Sequence, residues 1–332
     1  MRLFHFLSIV GFVMGGAGSG CGDNITGAGG DGGIPGNDAI PDSPLADSPP
    51  ADGPPADGPP GDGPLSNAPT LLISEVTLSN NSQEFIEIYN PTNQAVDLGN
   101  YYICDDDEYY LLPGASGAGP APMRLNENPV ATMQFDFLVK FPTGASIPAG
   151  GVVVVAMRFN DFNTANPTRN ADFGILQAPV GKEMIDPGNG VFVGRGGNAQ
   201  FSQSGGEMVA LFLWDGTSDL VKDIDLVNVG TNADPFNRIP SKTGKMVDGP
   251  DSDTTPSRYA MDRATIGLMD GVAPTGQSHK RVALEIGSEV QDGFGNGLTG
   301  HDETSEDTTM TWDRASAYTA PTPGSVPPAL MP

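Results

Sequence analysis

Leu71-Leu-Ile-Ser-Glu-Val76, a polar break at Ser79-Asn-Asn-Ser82, and Glu84-Phe-Ile-Glu-Ile-Tyr-Asn-Pro91 decide how the chain reads. β-Branched and aromatic residues crowd both runs, and the Ser/Asn segment between them supplies turn formers, so the two form a strand pair. A third strand is predicted at Ala95-Val-Asp-Leu98, after the turn-forming Asn90-Pro-Thr-Asn93. Side chains alternate along a strand, so Ile86 and Ile88 share one face and Phe85, Glu87 and Tyr89 the other. One face packs into a sandwich, and Glu87 then needs a hydrogen-bond donor or a place at a sheet margin.

The same pattern continues outward. Tyr101–Leu112 reads as a strand pair of aromatics around the acidic turn Asp105, Asp106, Asp107 and Glu108, followed by a Gly/Ala/Pro-rich loop at 113–128 and a strand at Met133–Val139. A turn at Ala145–Gly151 feeds four consecutive valines, Val152–Val155, a composition suited to a strand covered on both faces. Residues 160–190 read as loop, marked by Asn166-Pro167 and Asp186-Pro-Gly188. Strands return at Gly190–Gly194, at Met208–Trp214 before the turn Asp215-Gly-Thr217, and at Leu220–Val229. Beyond them, 230–277 is polar and turn-rich, and Tyr259–Met269 is the best helical candidate. Many short strands with Gly and Asn/Asp turns, and no alternation of helix with strand, predict an all-β antiparallel sandwich rather than a doubly wound fold.

What precedes residue 69 is of another kind. Arg2, an apolar run from Leu3 to Met14 too short to span as a stable helix, and the small residues 15–20 describe an export signal over 1–20. Cys21, directly after Gly18-Ser-Gly20, resembles the lipidated cysteine of a bacterial lipoprotein signal, although Gly18 stands where such signals usually carry an aliphatic residue. Residues 21–68 offer almost nothing to bury: Gly-rich to Gly36, then Asp-Ser-Pro-Pro and Asp-Gly-Pro units from Asp47 to Pro64. Proline stiffens, glycine loosens and aspartate hydrates such a segment, which makes it a disordered stalk able to hold a domain on the order of 100 Å from an anchor. With Cys21 lipidated, Cys104, the only other cysteine, is expected as a buried thiol beside Tyr101, Tyr102 and Ile103.

Residues 69–332 carry a net charge of −18. That sign argues against nucleic acid and against direct docking on anionic lipid, leaving a lipid anchor as the contact with membrane. Only His279 and His301 follow the signal, without His-x-x-His, His-Glu-x-x-His or Cys-x-x-Cys spacing, so no usual zinc site is encoded. Gly-x-Ser-x-Gly and a phosphate-loop Gly-Lys-Ser/Thr are also missing. Gly295, Gly297 and Gly300 match Gly-x-Gly-x-x-Gly, but in a polar loop with no strand before it and no helix after it. Calcium is the one cofactor with some warrant, since hard oxygen ligands cluster at Asp105, Asp106, Asp107 and Glu108, at Asp248, Asp251 and Asp253, and at Asp302, Glu303, Glu306 and Asp307. None of the three matches the full twelve-residue helix-loop-helix pattern.

Ile73-Ser-Glu-Val76, Glu84-Phe-Ile-Glu-Ile-Tyr-Asn90, Val96-Asp-Leu98, Ile147-Pro-Ala-Gly-Gly151, Gly205-Gly-Glu-Met-Val-Ala-Leu211 with Asp215-Gly216, and Val221-Lys-Asp-Ile-Asp225 resemble the successive strands of a bacterial lamin-tail domain. Ser278-His-Lys-Arg281, Thr311-Trp-Asp313 and Pro321-Thr-Pro-Gly324 resemble its closing pieces. The resemblance implies an immunoglobulin-like sandwich used for interaction or adhesion, here elaborated by insertions near 114–145, 158–204 and 230–277, and it transfers no catalytic residue. The expectation is therefore a non-catalytic, lipid-anchored module of the cell envelope, in the outer membrane and exposed at the surface. Through sheet edges or inserted loops it binds a cell-surface or matrix protein or a polysaccharide. The alternatives are an exported hydrolase with a carboxylate site in the inserted loops, and a structural spacer without a specific ligand.

Overall fold

The computed structural model describes residues 71–78, 82–116, 136–187, 201, 206–230, 240, 242, 244–259, 272–283 and 308–331. The signal, Cys21, the stalk, the strand predicted at 190–194, residues 260–269 of the helical candidate, the Gly295–Gly300 string and the acidic run from Asp302 to Asp307 lie outside them.

Two sheets face each other. Numbered in chain order, the first runs β13 (His279–Lys280), β1 (Leu72–Thr77), β2 (Phe85–Tyr89), β7 (Val152–Arg158), β8 (Phe173–Leu176). The second runs β10 (Lys222–Gly230), β9 (Gly206–Leu213), β4 (Tyr101–Cys104), β5 (Leu138–Lys140). Two short ribbons, β3 (Val96–Asp97) with β6 (Ser146–Ile147) and β11 (Met246–Val247) with β12 (Ser257–Arg258), accompany them. Their common core is formed by Ile73, Val76, Ile86, Ile88, Val153 and Val155 from one sheet and Ile103, Val139, Val209, Leu211 and Val227 from the other. Ile73 and Val76 are three residues apart and would face opposite sides of a regular strand. A bulge between Ile73 and Glu75 returns both to the core.

This immunoglobulin-like sandwich is covered on its outer faces as well. Phe85, Val154 and Ala156 pack under Phe159 and Phe162 of a short helix, α2 (Phe159–Ala165), which explains why consecutive valines suit β7. On the second sheet, Tyr102, Cys104, Phe212 and Leu226 pack against Tyr109, Tyr110, Leu112 and Tyr259. Cys104 is a fully buried free thiol, and burial pushes it well above its usual range.

Two predicted segments differ from what is found. Tyr101–Leu112 is not a strand pair: after β4 the chain turns through a 3-10 segment at Tyr109–Leu111 into α1 (Leu112–Ser116). Asp106 Oδ1 accepts the Glu108 N–H at 2.8 Å, an Asx turn that bends the backbone where a hairpin would have run straight. The stretch 160–190 is not all loop either, for it carries α2 and β8, and β8 pairs with β7 in parallel. A parallel pair needs a crossover, and α2 lies within it.

Candidate functional site

Among the described residues, three carboxylates converge. One ligand oxygen from each of Asp219, Asp248 and Asp251 lies within 4.8 Å of the others. The turn after β9 and the β11–β12 connection bring them together. Asp219 is buried and oriented: Oδ1 accepts the Gly249 N–H at 2.7 Å and Oδ2 the Ser257 N–H at 3.0 Å. Gly249 allows that approach, because a Cβ there would stand 2.7 Å from the Ser218 carbonyl oxygen. Asp248 is part-buried, and its Oδ1 is screened from solvent with no hydrogen-bond partner. Desolvation, followed by the charges of Asp219, Asp251 and Asp253, pushes its carboxyl up. Hard oxygens in such an arrangement offer part of a calcium shell, completed elsewhere by carbonyls or water.

The expected members fare differently. Asp248 and Asp251 are in the group, whereas Asp253 closes a local turn by accepting the Thr255 N–H at 2.6 Å and donating its own N–H to Asp251 Oδ1 at 3.0 Å. Asp219 was not among the predicted ligands, and its only sequence signal is its place in the turn after Asp215-Gly216. Asp105, Asp106 and Asp107 do not converge as a trio. Asp105 is fully buried with Oδ1 accepting the Phe137 N–H at 2.5 Å, and burial together with Asp136, Glu207 and Asp106 holds its carboxyl well above the usual range. Asp106 is pushed up to about 7, chiefly by desolvation.

A second set of polar side chains is spent on closing the sandwich. Arg281 and Asp225 are both fully buried, and the guanidinium Nη2 lies 2.7 Å from each Asp225 oxygen. Arg281 Nε donates to the Ile73 carbonyl at 2.9 Å, its guanidinium lies 4.9 Å from the Trp312 ring centroid, and Asp225 Oδ2 accepts the Ile73 N–H at 2.5 Å. Lys242 and Asp223 form another buried ion pair. Glu87 finds its donors in Ser74 Oγ at 2.8 Å and the Gly324 N–H at 2.5 Å. Glu75 accepts from Ser278 Oγ at 2.5 Å and from the Thr322 N–H at 2.9 Å. The strings Ser278–Arg281 and Pro321–Gly324 are thus fastened to β1, β2 and β10, and Thr311–Asp313 to the Ser278–Arg281 string.

A family model described as Lamin Tail Domain matches residues 64–234, just over half of the 332 residues. The chain belongs to the lamin tail domain family. In this lamin tail domain the fastening strings at 278–324 lie beyond the matched span. The crystal structure of a DUF4876 family protein from Bacteroides thetaiotaomicron VPI-5482 is similar at 13% identity over 79% of this chain and 72% of that chain, with a TM-score of 0.35. No curated protein matches. Among the described residues, no helix of the lamin tail domain chain is long and apolar enough to cross a membrane.

Proposed function

We propose that the chain is an exported, lipid-anchored, non-catalytic binding module of the cell envelope that displays its lamin tail domain on a stalk. The order of parts carries this reading: an apolar export signal, Gly18-Ser-Gly-Cys21, an Asp/Gly/Pro-rich stretch with almost nothing to bury, and then a family domain matched from residue 64. The partner is a cell-surface or matrix protein or a polysaccharide. Three of the four edges of the facing sheets are bridged, β8 at Gly174–Glu183, β5 at Lys140–Ile185, and the β13 flank at Ser278–Thr319 and Arg281–Trp312, which favours the loops and the β10 edge as the binding parts. The test compares native protein with Cys21→Ala in cells fed a clickable fatty acid, followed by membrane fractionation and cross-linking. Label and membrane retention restricted to the native protein, with a partner cross-linked only to it, support the reading; equal labelling, or release of both forms, overturns the anchor.

A second reading concerns the cofactor. The unpartnered, screened Asp248 Oδ1 beside Asp219 and Asp251 favours a calcium ion that fixes the β11–β12 loop against the turn after β9. Binding to the folded form alone raises its stability by mass action. Calcium is then expected to raise the melting temperature, a chelator to lower it, and Asp248→Asn to abolish both responses; indifference of the native protein to both removes this reading.

A further inference from the structure

The outer face of the five-stranded sheet presents two carboxylates in register across adjacent strands, Glu75 on β1 opposite Glu87 on β2. Both are fully buried. Like charges directly opposed across a strand pair repel, so a buried pair of this kind calls for a proton or a cation. What buries them is the C-terminal segment. Thr319 bridges to Ser278, Thr322 donates its N–H and, at 3.0 Å, its Oγ1 to Glu75, and Gly324 donates its N–H to Glu87. Farther along, Leu330 and Val326 pack on Leu72, Tyr89 and Val152.

We propose that residues 319–331 are a strap whose grip on this face is governed by the protonation of Glu87 opposite Glu75, closed while Glu87 holds a proton and loosened once Glu87 is ionised. The cations in reach do not offset a second charge. Lys280 Nζ stands 3.7 Å from Glu75 Oε1 but also holds Thr319 Oγ1 and the Ala320 carbonyl, each at 2.8 Å. Arg169, whose charge acts on Glu87, is engaged by Asp172 at 2.5 Å and by the Asn170 carbonyl. Lifting the strap hydrates Glu87, so closing it is linked to proton uptake.

Geometry and titration agree in sign. Burial, with a contribution from Glu75 and against the Ser74 and Gly324 hydrogen bonds, pushes Glu87 up to about 7 from an ordinary 4.5. A carboxyl raised in the closed form stabilises that form fully below its ordinary value, and the advantage is lost as pH rises toward the raised one. Two other titratable groups adjoin the Lys280 and Ser278 contacts of the strap. Asp313, which accepts the Lys280 N–H at 3.0 Å, is pushed up to about 6 chiefly by burial, and the His279 ring lies 4.6 Å from that of Tyr318 while its Nε2 accepts the Ala273 N–H.

Hydrogen exchange by mass spectrometry on the full chain between about pH 5 and about pH 8.5, corrected for intrinsic rates, separates these groups. Protection of peptides within 319–331 is expected to fall on the order of 100-fold between about pH 5 and about pH 7 and to level off above, since the closed form is favoured about tenfold for every pH unit by which a carboxyl's titration is raised in it. Peptides of β7 should stay level, and Glu87→Gln should abolish the fall in the strap. A flat native profile overturns the strap as a pH-governed element, and a Glu87→Gln profile that follows the native one transfers the effect to Asp313 or His279 and overturns the role of the pair. Where Glu87→Gln does not fold, Glu75→Gln serves: losing its repulsion should make the fall smaller and end it at a lower pH, and an unchanged profile overturns the proposal.

Discussion

Arg281 illustrates how much of this domain rests on single side chains. Its charge is buried with that of Asp225, its Nε closes the Ile73 carbonyl, and Trp312 covers it. Replacing both members of such a pair by apolar groups is often neutral, but removing one leaves the other as an uncompensated buried charge. Arg281→Met is therefore expected to cost about 3–5 kcal/mol, read as a lowered urea midpoint with unchanged slope. The raised carboxyls give a second expectation. Glu87 and Asp106 stand at about 7 and Asp313 at about 6, against ordinary values of 4.5 for Glu and 3.8 for Asp. Their contribution is fully present below the ordinary values and is lost as pH rises through about 6–7, so the urea midpoint should fall steadily from about pH 5 to about pH 8. At this scale the sequence was half legible. Alternation along Phe85–Tyr89 implied that Glu87 needed a donor, yet Gly324 lies 237 positions away, and no local pattern points to a backbone N–H that distant.

At the scale of elements, regular strands were readable and their covers were not. Runs such as Val152–Val155 and Met208–Leu211 carry enough β-branched and apolar side chains to declare themselves. Phe159–Ala165 does not: two turns rich in Asn, Asp and Thr have poor intrinsic helicity, and the segment is helical because Phe162 packs edge-on against Phe85 at 5.5 Å and Phe159 rests over β8. That contact leaves no room at Gly174, where a Cβ would stand 2.6 Å from Phe159 Cβ. Gly174→Ala should displace α2 and lower stability by about 1–3 kcal/mol, measured by thermal unfolding, with faster exchange of α2 amides as the local sign. The acidic loops were visible as charge, but which of them meet depended on the β11–β12 ribbon, whose two-residue strands lie below what composition can declare.

For the whole molecule, the sandwich was legible because each central sheet contains one local hairpin, β1–β2 and β9–β10, while the long-range pairings and the closure of the sandwich were not. The family match ends at residue 234, yet Asp225, Ile73, Glu75 and Glu87 depend on Arg281, Ser278, Thr322 and Gly324. A fragment of residues 69–234 is expected to lack a cooperative unfolding transition by circular dichroism, whereas residues 69–332 should show one. A cooperative transition in the shorter piece would make the later strings accessory.

The bonds from Arg281 to Ile73 and from Thr322 to Glu75 span 208 and 247 positions. A chain emerging N-terminus first, from a ribosome or a secretion channel, has its first strand out long before the groups that neutralise and cap it. Until then Glu75, Glu87 and Asp225 lack the partners that bury them in the folded domain. Final locking thus waits for residues 278–324 to emerge, and it is slow by the general rule that distant contacts form late.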